Sequence, residues 1–381
     1  MVSFDTAAFI ALIGALVVAV LLNREKLSFS RLGIFYVAMY RGKTGIALMD
    51  RLAREYRSFW RAVTWPMIVV GFAGMALVVF DLGRSLVMVL SGASTPSVGV
   101  VAPFKAKGVF YVPFFYWIIS IFVILIIHEG MHGVMARVYK LPVKNSGLMV
   151  LGVLVPLIPG AFVEPDEKKL TRAKRKHQLA VYSAGPVANI VTGVFLMALL
   201  SFAITPLTDS FYSKDGVVIT GLMDGNPPAE LAGLSEGEKI TMINGVSISS
   251  TKEFSQAFKG AHPGDTFNLV TSRAVYDVTL GENPQNKRAW LGVYVDQPLR
   301  VKNWAVSSAL WVKDLIFWLA LLSLGVGLFN LVPLGPIDGG RMFLTVLESI
   351  HPNKMQAAKI WKSVSFLVLG VLLTNVVLAF L

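Results

Sequence analysis

Two histidines and a glutamate lie together in an otherwise apolar segment, Ile126-Ile-His128-Glu129-Gly-Met-His132. Residues four apart lie on one face of a helix, about one turn apart, so both imidazoles can reach a single metal ion. The Glu129 carboxylate would lie beside the open coordination position, where it can take a proton from water. Ionisable side chains are costly in an apolar helix and usually have a function there. The pattern therefore favours a metal-dependent hydrolase over a polar cluster that only ties helices together.

A catalytic zinc ion usually has three protein ligands and one water, so the two histidines leave one ligand to be found. The chain has no cysteine, which restricts the choice to His, Asp or Glu. Asp338 follows Pro333 and Pro336, which should interrupt a helix and free the backbone, so that the carboxylate can turn inward. The same residues would also suit an ordinary turn at a membrane exit. Asp338 is expected at the same depth in the membrane as the two histidines, which favours it as the third ligand.

The composition places the chain in a membrane. Hydrophobic residues make up 55% of its 381 residues and charged residues only 15%. A membrane-spanning helix needs about 20 predominantly apolar residues. Six segments come close to this or exceed it: 5–22, 63–90, 109–137, 178–204, 304–332 and 360–381. We expect the first to be a retained span rather than a cleaved signal, because Asp5 precedes it and no basic region does.

Two further segments of the membrane part are not spans. Residues 27–61 alternate apolar and basic side chains at helical spacing, which predicts one or two amphipathic helices lying at the membrane interface. Residues 147–163 are apolar, rich in valine and too short to span, and they contain Pro156 and Pro159. We expect a re-entrant hairpin, which is tolerable at membrane depth only if protein shields its backbone.

Residues 206–300 differ in character, with short apolar runs, frequent Gly and Pro turns and mixed charges. These features predict a soluble β-rich domain. The order and spacing of Gly216-Val-Val-Ile219, Gly225-Asn-Pro-Pro-Ala229 and Ile243-Asn-Gly245 resemble a PDZ domain of the kind attached to bacterial-type proteases. Where that family usually has Gly-Asp, this chain has Gly237-Glu238. A PDZ-like domain would bring a peptide or protein ligand.

The chain has a net charge of +12, and its basic residues lie mainly in short loops between apolar segments. This distribution indicates how the chain is oriented in the membrane rather than a nucleic-acid partner. Lys and Arg outnumber Asp and Glu in residues 23–62 and 138–177, but not in 206–303. The first two segments should therefore be cytoplasmic and the third extracytoplasmic. His177 lies in a basic stretch expected to meet anionic lipid headgroups, and His262 and His351 are assigned no catalytic role.

The combined motifs resemble the site-2 protease family of intramembrane metalloproteases. They are His128-Glu129-x-x-His132, Ser183-Ala-Gly-Pro-x-x-Asn189, and Asn330-x-x-Pro333 with Asp338-Gly339. The segment Gly160-Ala-Phe-Val-Glu-Pro-Asp166 is similar to the archaeal and bacterial branches. The resemblance covers roughly residues 64–381 and leaves residues 1–63 without a matching motif.

The resemblance implies that His128, His132 and Asp338 hold one zinc ion per chain and that Glu129 is the general base. It implies that Asn189 and Asn330 contact the substrate backbone or the developing oxyanion, although an Asn in a membrane helix also often only bonds to a neighbouring helix. The implied substrates are transmembrane proteins, cut within or near their membrane segments. The enzyme would be a multi-pass protein of the cell membrane, with its active site toward the cytoplasm.

These expectations divide the chain into four parts: a first span and interfacial amphipathic segment (1–62), the first part of a protease core (63–205), a PDZ-like extracytoplasmic domain (206–303) and the second part of the core (304–381). An ion-coupled transporter is one alternative, since broken helices also mark transporters, but it predicts an internal repeat that the sequence lacks. A PDZ membrane scaffold is another, but it would need no histidines or acid within its spans.

Overall fold

The computed structural model describes residues 3–32, 35–91, 99–152, 156–214, 216–223, 225–283, 287–300 and 303–380. The chain divides into two compact units, one of residues 1–200 and 314–381 and one of residues 201–313. Among the described residues, six helices are long and apolar enough to cross a membrane by their length and composition, and their arrangement as six spans remains a prediction. The protein is therefore a multi-pass membrane protein.

The first unit is built mainly of helices. Its helices are α1 (Phe4–Leu22), α2 (Ile46–Glu55), α3 (Arg57–Leu90), α4 (Phe114–Val138), α5 (Glu167–Arg172) and α6 (Arg175–Leu199). A π-helical stretch, Leu200–Ile204, and α7 (Thr205–Asp209) continue α6 and complete the fourth candidate span. Each span buries only a minority of its side chains within the protein, which leaves apolar surface for lipid.

The prediction of amphipathic helices in residues 27–61 is wrong for the first part of that segment, which contains the strands β1 (Ser28–Leu32) and β2 (Phe35–Gly42). The rest of the segment is helical, in α2 and the start of α3. The strands form because β2 pairs antiparallel with a hairpin, so long-range hydrogen bonds outweigh the helical spacing of this segment. In α2 the amphipathic prediction holds, since Met49 and Ala53 are buried whereas Arg51 and Arg54 are exposed.

That hairpin lies where one was predicted. Strands β3 (Val100–Ala102) and β4 (Val109–Tyr111) precede it, and β5 (Val143–Gly152) then pairs antiparallel with β6 (Pro156–Pro165). The resulting sheet has the order β1-β2-β5-β6, so β6 is an edge strand. Gly147 is required in β5, because a Cβ atom there would lie 2.0 Å from the Tyr40 carbonyl oxygen. The depth of the hairpin in a membrane remains a prediction.

The second unit is β-rich, as predicted. Its elements are β7 (Val217–Leu222), α8 (Pro228–Leu231), β8 (Lys239–Ile243), β9 (Val246–Ser247), α9 (Thr251–Ala257), β10 (Thr266–Thr271), β11 (Val275–Thr279), β12 (Gly281–Glu282), β13 (Ala289–Trp290) and β14 (Val293–Asp296). Its main sheet has the order β11-β10-β8-β7-β14. Asn244 and Gly245 both have positive φ, as a two-residue hairpin turn of type I′ requires between β8 and β9.

Glu238, which occupies the position where an Asp was expected, is a buried structural group in this unit. Its carboxylate accepts hydrogen bonds from the Thr271 and Tyr276 hydroxyls and from the Ser235 backbone N–H. Burial, together with this hydrogen bond to Glu238, raises the pKa of Tyr276. The longer side chain is thus fully accommodated, because each of its oxygens has a donor.

The last three helices return to the membrane part. They are α10 (Trp304–Phe329), α11 (Asp338–Ile350) and α12 (Lys354–Phe380). The predicted break is confirmed, since α10 ends before Pro333 and a new helix begins at Asp338. The main core of the first unit forms where α3, α4, α6 and α11 meet, around Met75, Met135, Val181 and Met342.

Candidate metal centre

A cavity of about 270 Å³ lies among α4, β6, α6 and the break between α10 and α11. It is lined by His128, Glu129, His132, Val163, Pro165, Leu170, Val181, Tyr182, Asn330, Pro336, Ile337, Asp338 and Arg341. Five of the six residues predicted for the site therefore line one cavity, and the sixth, Asn189, is adjacent to it through His128. The sequence motifs are separated by as many as 210 residues, from His128 to Asp338, but meet in the fold.

His132 has its ring orientation fixed by the backbone of α6. Its Nδ1 lies 2.7 Å from the carbonyl oxygen of Val181, which accepts the N–H of that nitrogen. This bond leaves the lone pair of Nε2 free to bind a metal. His128 lies one turn earlier on α4, and both imidazoles are buried.

Asp338 reaches the histidines because the break after α10 is unusually tight. A Cβ atom at Gly339 would lie 2.2 Å from the Leu331 carbonyl oxygen, and one at Gly340 would lie 2.5 Å from that of Gly335. The two glycines therefore allow the start of α11 to pack directly on the backbone of the break. The Gly339 N–H also donates to the Asn330 carbonyl oxygen at 2.8 Å, which closes the turn.

The separations between donor atoms suit zinc. Asp338 Oδ2 lies 3.0 Å from His128 Nε2 and 3.2 Å from His132 Nε2. Tetrahedral zinc with bonds of about 2.0–2.1 Å would place its donor atoms roughly 3.3 Å apart. Two imidazole nitrogens and one carboxylate oxygen are also a ligand set that catalytic zinc uses. The three side chains thus form a group that can hold a metal ion.

Glu129 is hydrogen-bonded to strand β6. Its Oε2 accepts the backbone N–H of Val163 at 2.9 Å. The carboxylate lines the cavity without belonging to the group of candidate ligands. This placement beside the metal position is the one that a general base requires.

Asn189 is a buried neighbour of His128 rather than a residue that lines the cavity. Its Nδ2 lies 3.1 Å from His128 Nδ1, and its Oδ1 is buried without a hydrogen-bond partner. The O and N atoms of an amide are assigned from its hydrogen bonds, and a His128 ring that binds metal through Nε2 carries its hydrogen on Nδ1, so Asn189 would then present Oδ1 to it as an acceptor. Nε2 of His128 then has its lone pair free for a metal, as in His132.

Asn330 is placed differently. It lines the cavity, and its Nδ2 donates to the Val326 carbonyl oxygen at 2.9 Å, within the end of α10. This bond leaves the side-chain oxygen and one amide hydrogen for other partners. Both the proposed substrate contact and a purely structural role are compatible with this position.

Sequence reasoning missed Gly185, which lies within the Ser183-Ala-Gly-Pro motif. A Cβ atom there would lie 2.5 Å from His132 Nε2 and 2.8 Å from His128 Nε2. Any side chain at this position would fill the space that a metal ion needs. The motif itself was the available signal, because a glycine beside a proline in an apolar helix needs a packing reason.

The remaining histidines lie outside the metal centre. The His177 ring stacks on Tyr139 with 4.1 Å between ring centroids. His262 Nδ1 lies 4.0 Å from Asp265 Oδ2 in an exposed turn of the second unit. His351 follows α11 as its C-cap.

Comparisons with known proteins identify the family to which the membrane part is similar. A model of peptidase family M50 matches residues 116–372, which include all six predicted site residues. An uncharacterised protein of Methanocaldococcus jannaschii is 27% identical over 356 residues, covering 92% of this chain and 89% of the relative.

Relatives with named activities match over a shorter region. The zinc metalloprotease RasP of Shouchella clausii is 26% identical over 266 residues, covering 54% of this chain and 61% of the relative. RasP of Geobacillus kaustophilus is 25% identical over 226 residues, covering 46% of this chain and 51% of the relative. The chain thus spans about half to three fifths of these metalloproteases.

Solved structures that are similar to a part of the chain include the PDZ domain of an SdrC-like protein from Listeria monocytogenes, with 24% identity and a TM-score of 0.20. The match covers 21% of this chain and 87% of that domain.

Proposed function

The chain belongs to peptidase family M50, and from this premise we propose that it is an intramembrane zinc-dependent endopeptidase. It would cut transmembrane proteins within or near their membrane segments. The observation that carries this proposal is the convergence of His128, His132 and Asp338, whose candidate ligand atoms lie within 4.8 Å of one another, in a cavity that Glu129 also lines. These three side chains would hold one zinc ion per chain.

Zinc bound there would lower the pKa of a coordinated water and polarise the substrate carbonyl. Glu129 would accept the proton of the attacking water and transfer it to the leaving amine. His132 would be held by the Val181 carbonyl and His128 by Asn189, so that both rings keep one orientation during turnover. Asn189 is thus proposed as a positioning residue rather than a substrate contact. Asn330 lines the cavity and is proposed to bind the substrate backbone or the oxyanion.

A substrate helix must unwind before it can be cut, because its own hydrogen bonds shield its backbone. We propose that strand β6 binds the unwound stretch by strand addition. Its Val163 N–H points away from β5 and toward Glu129, so the free edge of β6 borders the cavity. An added strand would therefore bring its backbone to the catalytic carboxylate.

The arrangement in the membrane is also a proposal. The excess of Lys and Arg in residues 23–62 and 138–177 supports a cytoplasmic location for both segments and an active site that opens to the cytoplasm. Residues 206–303 lack that excess and would be extracytoplasmic. We propose that they form a PDZ-like domain that filters substrates by binding a peptide, without taking part in the chemistry.

A reconstituted assay tests the proposed function. Detergent-purified protein should cut a generic single-span substrate, and a zinc chelator should stop cleavage. The Glu129→Gln variant should bind zinc but not cleave, because its ligands are intact and its base is lost. Cleavage that persists in this variant or with the chelator would refute the proposed function.

A further inference from the structure

A second cavity, of about 520 Å³, shares no lining residue with the metal centre, and five of its eight lining residues are basic. Its charged lining is Asp50, Arg54, Arg57, Arg137, Lys140 and Lys169. These residues come from α2, α3, α4, the turn after α4, and α5, so the fold gathers them from separate parts of the sequence. We propose that this basic pocket binds the headgroup phosphate of an anionic phospholipid.

The charges of the pocket are largely uncompensated. Asp50 pairs with Arg137, with 2.8 Å between Oδ1 and Nε. In the part of the chain that the structure describes, the side chains of Arg54, Arg57, Lys140 and Lys169 form no ion pair. The Nε of Arg57 is also buried without a hydrogen-bond partner. Clustered cations repel one another, and a bound phosphate would offset that repulsion.

Lys140 has a backbone conformation that favours glycine. Its φ is 60°, and it occupies the first position beyond the cap of α4, Tyr139. The Lys140 N–H donates to the Arg137 carbonyl oxygen and the Leu141 N–H to that of Ala136, which forms a Schellman motif. Lysine at this position carries a conformational cost that glycine would avoid. A ligand bound by the Lys140 ammonium group in the pocket would offset this conformational cost.

The position of the pocket along the spans favours a lipid over a soluble phosphate. Arg57 is the first residue of the second candidate span, and Arg137 lies in the last turn of the third. The pocket therefore lies at the level where a span leaves the hydrocarbon, which is the level of headgroups. Nearby Leu48, Tyr56 and Phe59 are more than half exposed, and they offer an apolar surface for an acyl chain.

The pocket also connects α2 with α4, the helix that carries the two histidines of the metal centre. Asp50 and Arg54 lie on α2, and Arg137 lies on α4, five residues beyond His132. Met49 of α2 packs so closely on α4 that a Cβ atom at Gly133 would lie 2.3 Å from its sulfur. A phosphate that bridges α2 and α4 would hold them together.

Native mass spectrometry of the detergent-purified full chain tests the inference. The wild-type protein should retain phosphatidylglycerol in preference to phosphatidylcholine, which has a phosphate but no net charge. Lys140→Gly should weaken retention of phosphatidylglycerol about fivefold, the value expected for one cation near an anionic headgroup, without destabilising the helix end. The single variant Arg54→Gln should weaken retention of phosphatidylglycerol by a similar factor.

Lys287→Gly is the matched control. Lys287 also has a positive φ, of 62°, but it lies in the second unit and pairs with Glu282. This variant removes the same charge and the same conformational cost, and it should retain lipid as the wild type does. Equal retention in all variants would overturn the inference, as would displacement of the lipid by millimolar pyrophosphate with no preference between the two lipids.

Discussion

The Glu129 carboxylate accepts a hydrogen bond from the Val163 backbone N–H, so the candidate base is attached to the edge strand β6. Successive N–H groups of a strand point to opposite sides. Those of Val163 and Ala161 therefore face the same free edge. A substrate strand that adds to β6 would use the Ala161 N–H, two residues along the strand from the N–H that binds the candidate base.

Replacement of Ala161 by proline tests strand addition. Proline removes the outward N–H and is tolerated on an edge strand, so pairing with β5 should survive. We expect KM for a membrane-embedded substrate to rise severalfold while zinc content is unchanged. The comparison is Ala161→Val, which keeps the N–H. If both variants have the wild-type KM, the substrate does not add to this edge.

Asn189 should affect metal affinity. Asn189→Leu removes the acceptor for His128 Nδ1–H and should weaken zinc binding by about 10- to 100-fold, as loss of such partners typically does. Asn189→Asp retains an acceptor oxygen and should keep most of the affinity. Competition with a chelator of known zinc affinity measures both variants. A substrate-contact role predicts the reverse pattern, with altered KM and wild-type zinc affinity.

Gly185→Ala should exclude the metal without disturbing the helix, because alanine favours helix and its methyl group would occupy the metal position. Gly325→Ala is the matched control, since it also lies in a membrane helix and a Cβ atom there meets nothing within 4 Å. Zinc content measured by atomic emission should fall only in the first variant. Full occupancy in Gly185→Ala would place the metal elsewhere.

The inserted β-rich domain should select substrates rather than catalyse. Replacing residues 216–295 by a short linker should preserve or raise cleavage of small unstructured substrates and change the choice among bulky ones. A panel of substrates that differ only in their extramembrane part measures this effect. A properly inserted variant that cleaves none of them would argue against a filter.

The sequence predicted most of the metal centre because its signals are local. His128 and His132 are spaced by one helical turn, and Pro333 and Pro336 mark the break before Asp338. These features do not depend on how distant segments pack. The same holds for the six long apolar helices, whose length and hydropathy are those that a membrane requires.

What the sequence did not reveal depends on long-range contacts. Strand β2 forms because it pairs with β5, and no local pattern in residues 35–42 indicates that pairing. The role of Gly185 follows from two histidines on another helix. The hydrogen bond between Asn189 and His128 likewise joins α6 to α4. These features depend on how distant segments pack, so composition and residue spacing do not predict them.

The zinc content of Asp338→Ala, measured beside its cleavage of a single-span substrate, tests the central claim most directly. Asp338 supplies the one carboxylate oxygen of the candidate ligand set. We expect the wild-type protein to contain about one zinc per chain, and the variant to lose both the metal and the activity. A variant that keeps full zinc occupancy and cleaves at the wild-type rate would contradict the assigned metal centre.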